Sequence, residues 1–267
     1  MLARLIADRL VLQPTTHPVF SFGKSRRFVQ FGQRELEIWT QRVGAVESED
    51  VDVFVLKFSG TAGRAERASS HPLDHWTGLR AELWSVNPPG YGGSSGRASV
   101  RYLAEAGKAA YDAISEIAEG RPIIVTGNSL GSATALHVGA SRDVAGLILR
   151  NPPPLRQMIV GLHGWWNLWL GAAIIAREVP HSLCSIHNAR RCQAPAVFVM
   201  SEKDRTVPPY YQLKVLRAYG GKKRVLVLDG ADHGTTAMCP DAQRRYDRLL
   251  DWLRDRALGV QGPVFAN

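Results

Sequence analysis

"VTGNSLGSATALHVG", residues 125–139, sets one serine between two glycines where an apolar run gives way to helical spacing. "RPIIVTG" (121–127) reads as a short buried strand and "SATALHVGAS" (132–141) as a helix. A chain that passes from strand to helix through Gly127-Asn128-Ser129-Leu130-Gly131 turns too sharply for larger side chains at the flanking positions. The serine on such a turn takes a strained backbone conformation and lifts its hydroxyl above the sheet. The helix behind it aims its N-terminal dipole at the same place, which favours developing negative charge. The bland alternative is a tight turn with an incidental serine. The position between "PIIVT" and "ATALHV" favours a nucleophile.

The pattern on either side is alternating strand and helix. "RRFVQFG" (26–32) and "ELEIWTQRV" (35–43) read as an antiparallel hairpin turning near Gly32. "DVDVFVLKFSG" (50–60) and "AELWSV" (81–86) read as strands, the latter feeding the Pro/Gly-rich loop "NPPGYGGSSG" (87–96). Residues 99–120 have helical apolar spacing, with Ser99 as cap and Gly120 and Pro122 as stops. "VAGLILRNP" (144–152), "APAVFVMSEKD" (194–204) and "RVLVLDGADHG" (224–234) are further strands, with a helix over 208–219 and a closing amphipathic helix over 239–258. Near-continuous Val/Ile/Leu strands alternating with helices predict an α/β fold: a mostly parallel central sheet with helices on both faces. Functional residues should then sit just beyond the carboxyl ends of the strands. Residues 1–25 read as an N-terminal extension and 26–267 as one domain. Within it, about 152–193 breaks the alternation and reads as a helical lid insertion.

Composition narrows the setting. The 267 residues carry a net charge of +9, but the clusters at 24–27, 189–191 and 221–224 are short and lack interleaved aromatics. A solvated basic surface is therefore expected, not a nucleic-acid site. Three cysteines, Cys184, Cys192 and Cys239, match no zinc spacing and read as free thiols in a reducing, cytoplasmic setting. The first 14 residues lack the apolar core and cleavage site of a signal peptide. No stretch reaches the roughly 18 apolar residues of a spanning helix.

A serine hydroxyl needs a base, and the base needs an orienting acid. On a strand–helix sheet with this turn, acid and then histidine follow the serine in chain order. His233 in "LDGADHG" directly follows a strand and, alone among the histidines, lies beyond an acid that ends a late strand, whereas His137 falls inside the helix after Ser129, and His163, His181 and His187 fall in the insertion. Asp204, after "VFVMSEK", is the expected acid, with Glu202 in reserve. Asp232 adjoins His233 too closely to face it, and Asp143 precedes its strand. Oxyanion donors are expected from the backbone N–H of Leu130 and, from the loop Ser59-Gly60-Thr61-Ala62-Gly63, that of Thr61.

From about residue 26 to 257 these motifs resemble the α/β-hydrolase superfamily, and most closely its small single-domain serine hydrolases with a short lid. "GNSLG", "DRTVP" and "ADHG" stand where such proteins carry elbow, acid loop and base loop, and "NPPGYGGSSG" resembles the loop after their fourth strand. The chain departs at Ser59-Gly60, where the superfamily commonly has His-Gly. The resemblance implies cleavage of a carboxylic ester through an acyl-enzyme on Ser129, with His233 as base and Asp204 as its orienter, and neither cofactor nor metal. A serine at 129 in place of an aspartate points away from haloalkane and epoxide chemistry. Thioesterase and amidase or aminopeptidase activity use the same triad, and a catalytically inactive binding protein on the same fold is the reading from another class. Trp165, Trp166 and Trp169 in the insertion are expected to contact an apolar acyl group; the alternatives are packing onto the body and peripheral membrane contact.

Overall fold

A computed structural model describes residues 2–44, 51–163 and 170–259. Eight strands form one sheet: β1 (Ser25–Phe31), β2 (Arg34–Val43), β3 (Val53–Phe58), β4 (Ala81–Val86), β5 (Ile123–Asn128), β6 (Gly146–Arg150), β7 (Ala196–Ser201) and β8 (Lys223–Leu228). Their order is β1-β2-β4-β3-β5-β6-β7-β8. β2 runs antiparallel to both its neighbours, and every pair from β4 to β8 is parallel. The expected hairpin turns at Gly32, whose φ of 59° suits a residue without Cβ, and Phe31 faces Arg34 across it.

The two faces are covered unequally. One packs against α2 (Val100–Ala118), α3 (Leu130–Ser141), α6 (Ser185–Arg191) and α7 (Pro209–Ala218), around Phe54, Leu56, Leu136, Leu149 and Phe198. The other meets a single long helix, α8 (Pro240–Ala257), together with the β3–β4 crossover, which drives Leu73 and Trp76 into the core in place of a long helix. α8 begins with Pro240 in its first turn and Asp241 beside it, as the sequence suggests. α2 is capped by Ser99 and ends at Glu119, which takes a left-handed φ of 50°, one residue before the expected stop at Gly120.

The residues read as an extension are built into this body. Helix α1 (Leu2–Val11) packs against α2 and α5 (Leu170–Arg177), and its Asp8 accepts from both the Val100 N–H (2.9 Å) and the Ser99 hydroxyl (3.0 Å). Val11 and Leu12 join Leu103, Leu130, Leu155 and Ala176 in a third apolar cluster. That cluster ties the N-terminus, α4 (Leu155–His163) and α5 to the start of α3. The inserted segment is likewise divided. α4 and α5 stand over the sheet edge, while α6 belongs to the helical layer, with Ala189 buried in the main core.

A buried polar network holds the region beyond β2, β3 and β4. Asn87, fully buried, donates to Glu37 (2.7 Å) and Glu66 (2.9 Å) and accepts from the Ala65 N–H (2.8 Å). Arg64 pairs with Glu66 through two nitrogens and also donates to the Thr15 and His17 carbonyls. Burial works against the Glu66 charge, but Arg64 and Asn87 outweigh it, and the carboxyl titrates below its ordinary value of 4.5. The unfolded chain therefore takes up the proton first. This group's contribution to stability is complete above pH 4.5 and falls as acid is added below it. Asn87→Leu removes one hydrogen bond from each of two buried carboxylates, Glu66, which keeps Arg64, and Glu37, which keeps the Gly93 N–H, and should cost about 2–4 kcal/mol. Urea unfolding should show that loss at pH 7 and a shallower fall between pH 5 and pH 3 than in the wild type, since the Asn87 bond is one cause of the lowered pKa.

Candidate active site

Ser129 sits between β5 and α3 with φ 51° and ψ −121°, a backbone conformation costing about 1–3 kcal/mol for a residue with a side chain. Close packing enforces it. A Cβ at Gly127 would lie 2.6 Å from the Ser132 Cα, and one at Gly131 would lie 2.6 Å from the Ser59 carbonyl oxygen. The Ser129 N–H donates to the Arg150 carbonyl at 2.8 Å, and the Ser132 hydroxyl bonds the Gly127 (2.7 Å) and Arg150 (3.0 Å) carbonyls. The turn is thus fastened to the end of the neighbouring strand.

Asp204 follows β7 and its side chain is wholly buried. It accepts from the N–H groups of Thr206 (2.9 Å) and Val207 (2.7 Å), from Gln212 (3.0 Å) and from His233 Nδ1 (2.7 Å). With the Nδ1 proton engaged by the carboxylate, Nε2 is left as the ring's acceptor. Glu202 bonds the Gly230 N–H instead (2.6 Å), and Asp232 closes its own turn on Gly234 and Thr235. Both stand apart from the imidazole's partner, as the sequence order implies. His137 lies against Glu105 on α2, away from the sheet edge.

The structure joins Asp204 to His233 directly. Among the described residues no hydrogen bond joins the Ser129 hydroxyl to the imidazole. What brings the two loops together is Arg150, at the end of β6 between them. Its carbonyl takes the Ser129 N–H, and its guanidinium donates to the Thr235 carbonyl in the base loop. Burial pulls that guanidinium below its ordinary pKa, while Tyr246 and the Asp204 carboxylate pull back. Sequence order singles out neither Arg150 nor Gln212. Gln212 reaches Asp204 only because α7 starts at Pro209 and places its first turn under the acid loop.

The Ser59–Gly63 loop passes beside the elbow. A Cβ at Gly60 would touch Ser129 Cβ at 3.5 Å. The Thr61 carbonyl is taken by the Gln13 N–H (3.3 Å) and the Tyr91 hydroxyl (2.8 Å), while its N–H bonds to nothing among the described residues. Leu130 opens α3, so its N–H has no helical acceptor either. A narrow apolar cleft adjoins both loops, lined by Leu12, Phe58, Val86, Tyr91, Leu103 and Leu130. Trp165, Trp166 and Trp169 lie outside the described residues. Among those described, no three His, Cys, Asp or Glu side chains converge as a metal set requires, and no helix is long and apolar enough to cross a membrane.

No protein-family model matches the chain. It is 29% identical over 207 residues to an uncharacterized protein of Mycobacterium tuberculosis strain H37Rv, covering 76% of this chain and 70% of that one. Among solved structures it resembles DcsB in complex with its substrate analogue (TM-score 0.67, 11% identity, 88% of this chain and 99% of that one). It also resembles a Pyrococcus furiosus esterase (TM-score 0.67, 13% identity, 93% and 97%). A third likeness is to the Pyrococcus horikoshii acylaminoacyl peptidase (TM-score 0.65, 16% identity, 93% of this chain and 44% of that one). At these identities the likeness is one of fold, and the fold is that of the α/β-hydrolases.

Gly131→Ala should force the elbow away from β3, costing about 3 kcal/mol and lowering Tm by about 6–12 °C for a domain of this size. Gly78→Ala, where a Cβ meets nothing within 4 Å, should leave Tm nearly unchanged. Equal effects of the two in a thermal melt would mean the elbow is not close-packed.

Proposed function

We propose that the protein is a serine hydrolase that cleaves a carboxylic ester through an acyl-enzyme. The observation that carries this reading is the 2.7 Å bond from His233 Nδ1 to buried Asp204, on the sheet edge where Ser129 stands at a strained turn. In the reaction His233 Nε2 takes the Ser129 proton as the hydroxyl attacks the carbonyl, then passes it to the departing alcohol. Water, deprotonated by the same nitrogen, releases the acid. Asp204 fixes the tautomer and stabilises the imidazolium. The free N–H groups of Leu130 and Thr61 receive the oxyanion. Serine–histidine contacts of this kind commonly tighten only around substrate.

The apolar pocket beside Leu130 supports an apolar group next to the scissile bond, the role expected of the tryptophans in the insertion. Thioester or amide cleavage would use the same machinery, so leaving-group chemistry is a matter for assay. Three cysteines free of disulfides support the cytoplasmic placement.

A fluorophosphonate probe should label the wild type and not Ser129→Ala. Asp204→Asn should fold but lose on the order of 10⁴ in kcat, because the wrong imidazole tautomer then faces the serine. Absence of labelling in the wild type would instead favour a non-catalytic binding protein. Across p-nitrophenyl esters, kcat/KM should rise from acetate to butyrate; a flat or falling series would remove the apolar pocket from substrate binding.

A further inference from the structure

The Ser59–Gly63 loop also lines a second, open pocket. Its walls carry Lys57, Arg64, Arg67, Thr126 and Asn128, and no carboxylate lines it. The cations differ in how they are held. Arg64 is neutralised by Glu66, whose other oxygen Asn87 shares. Lys57 is bonded only to neutral acceptors: the Ser69 carbonyl (2.8 Å), the Ser69 hydroxyl (3.0 Å) and the His71 carbonyl (3.0 Å). All three of its donors are spent while its charge has no ion-pair partner among the described residues. Burial pushes the Lys57 ammonium down to about 8, against the pull of Asp74 and with the help of the Lys24 charge. Arg67 is exposed and its side chain has neither hydrogen bond nor ion pair among the described residues. The Asn128 amide and the Thr126 hydroxyl are equally unengaged among those residues. The Asn128 nitrogen stands 3.7 Å from where a Cβ at Gly60 would be, and Asn128 immediately precedes the candidate nucleophile.

A half-buried ammonium with no carboxylate in hydrogen-bond contact stands in one pocket wall with a guanidinium, an amide and a hydroxyl that make no bond among the described residues, so four groups are left able to meet one anion. An oxyanion supplies what is missing: charge for Lys57 and acceptors for Arg67, Asn128 and Thr126. We propose that this pocket binds an anionic group of the substrate, a carboxylate or a phosphate, close to the scissile carbonyl. Its placement beside a scissile bond rests on the hydrolase reading; the anion site itself does not. Substrates would then be amphiphilic esters, apolar on the Leu130 side of the oxyanion loop and anionic on the Arg67 side. The chain's net charge of +9 would assist their approach.

Two measurements on the full-length protein test this. The first is calorimetric titration with glutarate and with inorganic phosphate. At least one should bind saturably, with Kd raised about tenfold by Arg67→Gln and left unchanged by Arg248→Gln, an exposed charge control on α8. The stronger binder tells carboxylate from phosphate. The second is kcat/KM for anionic and neutral ester pairs: 4-nitrophenyl hydrogen glutarate against 4-nitrophenyl pentanoate, and 4-carboxyphenyl acetate and 4-acetoxyphenyl phosphate against phenyl acetate. One anionic ester should be favoured about tenfold, with the preference largely lost in Arg67→Gln through KM. Neutral esters cleaved without anionic preference, and no Arg67-dependent anion binding, would overturn the anion site and leave the hydrolase reading standing. Arg67-dependent anion binding with no ester cleaved and no fluorophosphonate labelling would overturn the hydrolase reading and leave the site.

Discussion

The tightest approach of backbone to backbone at a glycine among the described residues is that of Gly131 to the end of β3. Because nothing larger than hydrogen fits there, α3 starts tight against the Phe58 and Ser59 carbonyls, and the chain between β5 and α3 must reverse within a single residue. Ser129 is that residue, and its φ of 51° follows from the contact. The same approach brings the Ser59–Gly63 loop alongside the serine. One steric requirement therefore sets three things together: the strain at position 129, the orientation of the first free N–H groups of α3, and the proximity of the facing loop.

Around that point the structure distributes its polar groups by a consistent rule. Buried charges on the β2–β4 side are paired or bonded through Asn87, whose amide bridges two carboxylates that would otherwise repel. The N-terminal segment belongs to this arrangement, since the Thr15 and His17 carbonyls complete the Arg64 hydrogen bonds. On the β7 side the Asp204 carboxylate is saturated by two backbone N–H groups, a glutamine and the imidazole. Two lysines depart from it: Lys24 and Lys57 both donate only to neutral acceptors. Of the two, Lys57 stands in a pocket wall with no carboxylate in its lining, which is why the proposed anion site lies there.

The mostly parallel sheet was legible, and three candidate catalytic positions could be picked out, because these readings rest on local signals; the strand order was not. Apolar periodicity marks strands and helices, glycines mark the elbow, and the order serine, acid, histidine eliminates other pairings without coordinates. What stayed hidden depends on contacts distant in sequence. Nothing in "MLARLIADRLV" announces that Asp8 will cap a helix starting about ninety residues later, so those residues read as an extension. Nothing in "VAGLILRN" says that Arg150 will reach the Thr235 carbonyl. The β3–β4 crossover carries no helical period, and its burial through Trp76 shows only once the sheet exists to receive it.

Arg150 also explains how residues on separate strands come to share one site. Ser129 follows β5, Asp204 follows β7 and His233 follows β8, so the base must be carried across two strands to approach the serine. A free loop would surrender conformational entropy to do this at each turnover. Here the cost is met in folding. The Asp232 turn rigidifies the loop at Thr235, the Arg150 guanidinium fastens that residue over β6, and the Asp204 bond fixes the ring. Burial lowers the pKa of this guanidinium, and Tyr246 and then the Asp204 carboxylate offset that in part. Acid and clamp thus hold the same loop two residues apart, at His233 and at Thr235. Removing either should loosen the other, an interdependence expected of groups that act as a unit and not of side chains that merely stand side by side.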